Sequence, residues 1–279
     1  MPTIADKRKT FRALHASGCF VLPNPWDVGT ARYFQHLGFK ALASTSAGFA
    51  FARGLPDAAV SRDDMLAHLA ELVAATDLPV NADFEGGYAH DPAGIAESVR
   101  LCVETGVAGL SIEDSTGDQD NPLYDFDLSV ARMRAARAAI DKSGGDCMLV
   151  GRAECFLVGR PDLDETIRRL QAYAAAGADC LYAPGLRTRD LIEAVVKAAS
   201  PLPVNVLMSG ALGLTVADLA ALGVRRISLG GTIARVAWAA FIRSAKQIAS
   251  EGRFDSFADV VPHAELNTFF RDDMKQRSS

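Results

Sequence analysis

Charged side chains follow three short apolar runs of this chain. Asp83 and Glu85 come after one run, Glu113 ends the next, and Arg152 ends a third. If the runs are parallel strands, their carboxyl ends share one rim, and Asp83 and Glu85, two positions apart, point the same way. Carboxylates gathered there repel one another unless a cation lies between them, and hard divalent cations prefer oxygen ligands. The spacing therefore predicts a site for Mg²⁺, with Mn²⁺ as an alternative; idle, solvated carboxylates are the competing interpretation.

Small hydroxyl residues end another apolar run, at Ser44, Thr45 and Ser46. Their backbone N–H and hydroxyl groups could cradle a substrate carboxylate, although an ordinary polar turn is an equal alternative. A Gly-Leu-Pro turn follows, and it returns Asp57 over the same rim. The polar stretch 115–126 is predicted to be either a lid over this rim or a plain surface loop.

A repeated unit indicates which elements position these residues. Four helical stretches end in glycine and run into an apolar segment, as happens when glycine takes the left-handed position after a helix. Alternating helices and strands at this spacing indicate parallel strands. Eight strand candidates predict an α/β fold, a (β/α)₈ TIM barrel, with a doubly wound open sheet as the alternative. They lie near Cys19–Leu22, Lys40–Ala43, Pro79–Ala82, Ala108–Ile112, Cys147–Gly151, Asp179–Tyr182, Pro203–Leu207 and Arg226–Leu229.

The chain length is consistent with one barrel. Its 279 residues are close to the ~250 that a barrel of this type needs. We predict a single domain over residues 1–279, with the barrel at about 11–240 and a C-terminal helical extension at about 241–279. The extension carries several phenylalanines, which could belong to the core or dock on a partner subunit. A homo-oligomer is therefore expected.

Composition excludes several functional classes. A net charge of −5 argues against a nucleic-acid partner, because binding phosphates requires a basic surface. No apolar run reaches the ~18 residues of a membrane span, and the charged N-terminus lacks a targeting pattern, so we expect a cytoplasmic protein with no membrane partner. The five cysteines form no metal-binding or redox motif and are predicted to be reduced. The five histidines are predicted to lie at the surface.

Taken together, the motifs resemble the isocitrate lyase/phosphoenolpyruvate mutase superfamily. The resemblance extends from about Phe11 to Ala240, and it is specific because each motif falls at the expected strand end. It rests on Asn24-Pro25-Trp26-Asp27, on Ser44 with Gly54-Leu55-Pro56-Asp57, on Asp83-Phe84-Glu85-Gly86-Gly87-Tyr88, on Ser111-Ile112-Glu113-Asp114 and on Gly151-Arg152-Ala153-Glu154.

The resemblance implies a barrel with Mg²⁺ at its mouth. The position of Asp83 matches an acid that binds the metal directly. The positions of Glu85 and Glu113 match acids that act largely through water molecules, and Asp57 matches an acid that lies nearby. In this family the metal supports bond cleavage in small 2-oxo acids.

The resemblance also implies the substrate contacts and the assembly. Residues matching Ser44, Thr45 and Ser46 hold the substrate carboxylate, and Arg152 matches an arginine that contacts the oxo oxygen. Asn205 matches a substrate-binding asparagine of the methylisocitrate lyase branch. Members usually form dimers or tetramers that swap a C-terminal helix, which suits the extension of this chain.

One departure separates this chain from the isocitrate and methylisocitrate lyases. Those enzymes carry a Lys-(Lys/Arg)-Cys-Gly-His segment after the fourth strand, and its cysteine is the acid. Residues 115–126 contain no Cys, Lys or His here. Those lyases also carry a glutamate after the sixth strand and another after the seventh. The matching positions in this chain are Pro184 and a position near Met208. The sequence therefore resembles the members without this cysteine, which include oxaloacetate decarboxylases and oxaloacetate hydrolases.

These features predict a Mg²⁺-dependent carbon–carbon lyase, with oxaloacetate decarboxylation as a specific case. Cleavage leaves an enolate, whose negative oxygen the metal and Arg152 would stabilise. Decarboxylation needs no strong acid to release CO₂, so a loop without Cys is compatible with it; Tyr124 or water would then protonate the enolate. The alternatives are phosphonopyruvate or phosphoenolpyruvate-type P–C chemistry, methylisocitrate lyase-like cleavage, and a non-catalytic metabolite-binding barrel.

Overall fold

The structure is a computed structural model that describes residues 2–278, with no side-chain detail for Ser278. Contacts within the chain define two compact units, Pro2–Gly231 and Thr232–Ser278. Within residues 2–278 the strands are β1 Phe20–Leu22, β2 Leu42–Ala43, β3 Val80–Asp83, β4 Gly109–Glu113, β5 Met148–Arg152, β6 Cys180–Tyr182, β7 Val204–Leu207 and β8 Arg226–Ser228.

Helices separate the strands of the first unit, and two more form most of the second. In the first unit they are α1 Ile4–Ala16, α2 Val28–His36, α3 Ser46–Ala52, α4 Arg62–Ala75, α5 Pro92–Glu104, α6 Phe126–Lys142, α7 Leu163–Ala175, α8 Arg189–Ala199 and α9 Val216–Ala221. In the second unit they are α10 Thr232–Glu251, a 3₁₀ turn at Asp255–Asp259 and α11 His263–Ser278. Across residues 2–278, none of these helices has both the length and the apolar character that crossing a bilayer requires.

The eight strands form one parallel sheet in the order β1-β8-β7-β6-β5-β4-β3-β2. Its two outer strands meet as well, because the Ala43 N–H donates to the Pro23 carbonyl at 3.0 Å. The predicted (β/α)₈ TIM barrel is thus confirmed. All eight strand predictions are confirmed too, with ends that differ by no more than two residues.

Alternation along each strand sorts the side chains into two groups. In β4, Leu110 and Ile112 pack in the large apolar cluster shared with the helices, whereas Ser111 and Glu113 line cavities at the mouth of the barrel. A smaller apolar cluster joins Phe11 of α1 to strand residues that include Leu22 and Ala43. The apolar layers therefore hold the barrel together and leave the strand ends for polar residues.

Candidate active site

Asp83 is the most firmly held carboxylate at the mouth. Its Oδ2 accepts hydrogen bonds from the Ser46 N–H at 3.0 Å and the Ser46 hydroxyl at 3.1 Å. Its own N–H donates to the Ser44 hydroxyl at 2.8 Å. The residues that follow β2 therefore fix the direction of the acid that ends β3.

Arg152 shares its charge among three carboxylates. Its Nη1 lies 3.1 Å from Asp83 Oδ1 and 3.1 Å from Glu113 Oε2, while its Nε donates to Glu154. Burial acts to lower the pKa of Arg152, but the carboxylates of Glu113 and Glu154 raise it well above the ordinary value. This guanidinium therefore stays charged, and it cannot neutralise all of its neighbours.

The other acids at the mouth have raised pKa values. Burial, and after it the charge of the nearby Asp83, raises the pKa of Glu85 to about 7. Burial followed by the charge of Asp83 raises the pKa of Asp57, and burial raises the pKa values of Glu113 and Glu154 as well. We name this group the mouth cluster: Asp57, Asp83, Glu85, Glu113 and Glu154 with Arg152.

The mouth cluster fits a hard divalent cation by the chemistry of its donors. It contains five carboxyl groups and one guanidinium, which pairs with three of them, and the carboxyl groups offer a metal oxygen ligands, as Mg²⁺ requires. Asp83, Glu85 and Glu113 are the residues that would hold the ion. In residues 2–278, no three His, Cys, Asp or Glu side chains already surround a common point; Arg152 lies between Asp83 and Glu113.

Glu85 does not share the direction of Asp83. The sequence predicted that the two side chains point the same way, because strand alternation places residues two apart on one face. Strand β3 ends at Asp83, however, and Glu85 has a left-handed φ of +47°, so the alternation does not extend to Glu85. The turn continues through Tyr88 at φ +55°, and the Tyr88 hydroxyl donates to Glu85 Oε1 at 3.1 Å. Non-glycine residues in this conformation are strained, and such strain is concentrated at functional sites. The turn directs Glu85 toward the cavity that Glu113 also lines.

Two cavities open at this end of the barrel. The first has a volume of about 130 Å³. It is lined by Asn24, Ala43, Thr45, Ser46, Ala47, Asp57, Asn81, Asp83, Ser111, Arg152, Tyr182, Leu207, Arg226, Ser228, Gly230 and Gly231. The second has a volume of about 380 Å³ and is lined by Ala58, Glu85, Gly86, Tyr88, Ala89, His90, Glu113, Ser115, Thr116, Gly117 and Tyr124. The first can hold only a small molecule, since water occupies roughly 30 Å³.

A larger groove lies away from this mouth. It measures about 820 Å³ and runs along α5 and α6, where alanines and surface ion pairs line it. It contains no member of the mouth cluster. We place the chemistry at the smaller cavities, because perturbed acids and convergent polar groups, rather than volume, mark an active site.

The two loops predicted to cover the mouth both reach it. Asp57 returns to the rim, where its Oδ1 accepts from the Ser46 hydroxyl at 3.2 Å. The loop after β4 forms a small hairpin closed by a bridge between Ser115 and Leu123. Tyr124 then enters the second cavity, with its hydroxyl 2.5 Å from His90 Nδ1.

The residues predicted to bind the substrate divide into cavity-lining and supporting groups. Thr45 and Ser46 line the first cavity, and the Thr45 hydroxyl accepts from the Gly48 N–H at 3.2 Å. Ser44 is fully buried and supports Asp83. Asn205 is also fully buried, with its amide bonded to Ser228 and Arg226.

Sequence reasoning assigned no role to three residues that shape this site. Glu154 pairs with Arg152, and Arg226 lines the first cavity. Asn24 connects three strand ends, since its Nδ2 donates to the Ser44 carbonyl and its Oδ1 accepts from the Leu229 and Gly230 N–H groups. The signal for Arg226 was its place at the start of β8, where it alternates with the apolar Ile227 and so shares a face with Ser228.

Comparisons with known proteins agree with the fold and with the family that the motifs resemble. The family model described as phosphoenolpyruvate phosphomutase matches residues 11–249. A solved structure from Burkholderia cenocepacia J2315, provisionally named a lyase or mutase, is 49% identical with a TM-score of 0.91 and covers 96% of each chain. A second structure from that organism, provisionally named a phosphonomutase, is 39% identical with a TM-score of 0.80 and covers 88% of this chain and 99% of its own.

A curated relative extends the comparison to a named activity. The oxaloacetate decarboxylase of Chromohalobacter salexigens is 30% identical over 241 residues, which cover 82% of this chain and 80% of the relative. By its motifs, its fold and these matches, the chain belongs to the phosphoenolpyruvate phosphomutase family of the isocitrate lyase/PEP mutase superfamily, whose members are lyases and mutases.

Proposed function

We propose that this protein is a Mg²⁺-dependent carbon–carbon lyase that acts on a small 2-oxo acid, and that oxaloacetate decarboxylation is the reaction it supports best. The observation that carries the proposal is the mouth cluster, in which Arg152 pairs with three of five carboxylates beside a cavity of about 130 Å³. A site with surplus negative charge and oxygen donors suits a divalent cation. A cavity of this size suits a three- or four-carbon acid.

The residues of the chain have distinct parts in such a reaction. A divalent cation bound by Asp83, Glu85 and Glu113 would polarise the keto oxygen. As the bond to the departing carboxylate breaks, its electron pair forms the enolate and CO₂ leaves. Arg152 can donate to the developing negative oxygen. Ser46 keeps Asp83 oriented through two hydrogen bonds.

The proton that completes the reaction must reach the third carbon of the enolate. Tyr124 lines the cavity beside Glu113, and its hydroxyl lies 2.5 Å from His90 Nδ1. The Arg132 guanidinium lies 3.9 Å from the centre of the Tyr124 ring. We propose that Tyr124, or a water molecule next to it, donates the proton, because the loop 115–126 carries no Cys, Lys or His.

An assay of oxaloacetate tests this function directly. Mg²⁺ alone decarboxylates oxaloacetate slowly, so pyruvate formation is measured with Mg²⁺, with and without the protein. We expect the protein to accelerate the reaction and EDTA to abolish the acceleration. Equal rates in the presence and absence of protein would remove the decarboxylase proposal.

A second candidate is chemistry at a P–C bond. The observation that favours it is the 39% identity to the structure provisionally named a phosphonomutase, which exceeds the 30% identity to the oxaloacetate decarboxylase. Both reactions pass through an enolate of pyruvate and use the same acids. Phosphorus NMR of phosphonopyruvate incubated with the protein and Mg²⁺ distinguishes them, because only P–C chemistry changes the phosphonate signal.

We also propose that the protein is a homo-oligomer assembled through Thr232–Ser278. Large apolar side chains of this unit are exposed, which is unusual for a monomer. They include Val236, Trp238, Phe241, Ile242, Phe254, Phe257, Val260 and Val261. Light scattering of the full chain tests this, and we expect a dimer or tetramer; Phe241→Ser should shift the mass toward the monomer.

A further inference from the structure

Two tyrosines line the second cavity, and their hydroxyl groups have different partners. The Tyr88 hydroxyl donates to Glu85 Oε1 at 3.1 Å, so its proton is held by an acid of the mouth cluster. The Tyr124 hydroxyl lies 2.5 Å from His90 Nδ1 instead, and its ring faces the Arg132 guanidinium at 3.9 Å. A carboxylate opposes the ionisation of a neighbouring phenol, whereas an N–H donor or a cation favours it. Of these two tyrosines, Tyr124 is therefore the one placed to release a proton.

Arg132 holds the imidazole and the phenol in this arrangement. Its Nη1 donates to the carbonyls of Ala89 and His90 at 2.6 and 2.7 Å, and its Nη2 donates to the Gly86 carbonyl at 2.5 Å. Arg132 is 1% exposed, and the acceptors of these three bonds are uncharged. A buried cation stabilises a negative charge that forms next to it, because little water screens the pair. Arg132 therefore fixes the backbone of His90 beside the Tyr124 ring and favours a negative charge on that ring.

His90 connects the Tyr124 hydroxyl to solvent. The imidazole is exposed, whereas Tyr124 is half-buried and lines the cavity beside Glu113. A single hydrogen lies between His90 Nδ1 and the Tyr124 oxygen, and either group can donate it. If His90 donates it, the hydroxyl hydrogen of Tyr124 is free to point into the cavity. That orientation is the one that an acid acting on a bound substrate requires.

We propose that His90 is a positioning residue for the final proton transfer: its Nδ1–H donates to the Tyr124 oxygen and stabilises the phenolate that the transfer leaves. This inference rests on the proposed function. The O–H bond of Tyr124 breaks, and the proton bonds to the third carbon through the electron pair of the enolate double bond. The keto group forms again, and the negative charge passes from the substrate oxygen to the Tyr124 oxygen. Solvent then restores the phenol proton through the exposed imidazole, so each turnover consumes one proton.

Exchange of the pyruvate methyl protons in D₂O measures this step in reverse, without cleavage of a carbon–carbon bond. Proton NMR follows the loss of the methyl signal with Mg²⁺ and the full chain, against Mg²⁺ alone. Tyr124→Phe should slow the exchange by about 10²-fold or more, and His90→Ala should slow it by about tenfold or more. The matched control is His263→Ala, which removes an exposed histidine of α11 and should leave the exchange rate unchanged.

Further variants separate this role from a structural one. His90→Asn and His90→Asp introduce side chains of the same size, but only the amide can donate to the Tyr124 oxygen. His90→Asn should therefore keep most of the wild-type rate, and His90→Asp should be slower than His90→Ala because its charge opposes the phenolate. In the Tyr124→Phe background, His90→Ala should change the rate by less than about twofold, because its effect depends on the hydroxyl group.

The outcomes distinguish this inference from the proposed function. Equal rates in His90→Asn and His90→Asp would overturn the inference, as would an undiminished loss when His90→Ala is added to Tyr124→Phe. A wild type that exchanges no methyl protons would overturn it too. Because the exchange needs no oxaloacetate, a wild type that exchanges pyruvate protons through Tyr124 and His90 but does not decarboxylate oxaloacetate would support the inference and contradict only the proposed decarboxylation.

Discussion

Glu113 and Asp114 are consecutive acids at the end of β4, and they lie in two regions with opposite charge balance. Glu113 belongs to the mouth cluster, where acids outnumber the single guanidinium. Asp114 points away from the barrel and accepts from Arg169 Nη1 at 3.0 Å, the Tyr173 hydroxyl at 2.5 Å and the Glu154 N–H at 2.8 Å. Burial raises the pKa of Glu113 well above its ordinary value, whereas Asp114 has a donor for each oxygen.

The comparison distinguishes carboxylates that can bind a ligand from carboxylates that stabilise the fold. A buried acid that is fully paired adds to stability, and removing it leaves its partners without compensation. An acid in an unbalanced group costs stability and is retained where a ligand can balance it. We call the balanced region the Asp114 network: Asp114, Arg169, Tyr173 and Glu165. Substitutions in the two regions should therefore change different properties.

The largest effect is expected for Asp83→Asn in the mouth cluster. The amide keeps the shape of the side chain but loses the charge that would hold the cation, so kcat for oxaloacetate should fall by about 10³-fold or more. Stability without metal should change little, because Arg152 keeps Glu113 and Glu154 as partners when the Asp83 charge is removed. Steady-state assays and urea unfolding measure the two properties. An active variant, or one that loses its fold, would contradict the distinction between the regions.

The reverse pattern is expected for Asp114→Asn in the balanced region. Arg169 would remain buried with a weaker partner, which should lower the free energy of unfolding by about 3 kcal/mol. The matched control is Glu165→Gln: its carboxylate accepts from Arg169 Nε at 2.7 Å but is 26% exposed, so the loss should be about 1 kcal/mol or less. Urea unfolding measures the free energy of unfolding of both variants. Equal losses of stability would show that the burial of the ion pair does not determine how much stability its removal costs.

Metal addition should stabilise only through the mouth cluster. A ligand that binds the folded state at a hundred times its Kd raises the free energy of unfolding by about 2.7 kcal/mol. We expect Mg²⁺ to raise the melting temperature of the wild type and EDTA to reverse the shift. Asp83→Asn should remove the shift, whereas Glu165→Gln should retain it. A Mg²⁺ shift that survives in Asp83→Asn would place the cation elsewhere.

The fold was predictable because its pattern repeats. Apolar runs of strand length, each preceded by a helix that ends in glycine, leave few alternatives to a parallel barrel. The rule that strand ends meet at one rim then brought Asp83, Glu113 and Arg152 together, as the structure does. Side-chain direction beyond the last strand residue was not predictable, and Glu85 shows why: its left-handed φ of +47° interrupts the alternation.

Long-range pairing was also beyond the reach of the sequence. No local pattern indicates that Asn81 and Asn205 hold Arg226, since these residues lie on three strands far apart in the chain. The prediction for two histidines was wrong for the same reason, because their packing partners could not be identified from the sequence. His15 and His68 were predicted to lie at the surface, but this is wrong: they are 6% and 4% exposed. His15 packs between the rings of Phe11 and Phe20, and His68 stacks on Phe49 at 3.8 Å.

These histidines provide the smallest predicted effect, and its sign opposes that of the mouth cluster. Burial lowers the pKa of His15 to about 3 and that of His68 to about 4, from 6.5 when unfolded. The unfolded chain therefore binds more protons below pH 6.5, and each histidine should cost about 1.4 kcal/mol of unfolding free energy per pH unit as the pH falls toward its folded pKa.

Glu85 should change stability with pH in the opposite direction, because its pKa of about 7 in the folded protein lies above its ordinary value of 4.5. Without metal, its contribution to stability is complete below pH 4.5 and is lost as the pH rises through 7.

Urea unfolding between pH 7 and 5 in EDTA separates the effect of the histidines from that of Glu85. His68→Gln should reduce the loss of stability on acidification, and Glu85→Gln should increase it, whereas His263→Gln, at an exposed position, should change neither. The same direction of change in both variants would contradict the charge imbalance inferred for the mouth, because only an acid in surplus becomes more stable when it gains a proton.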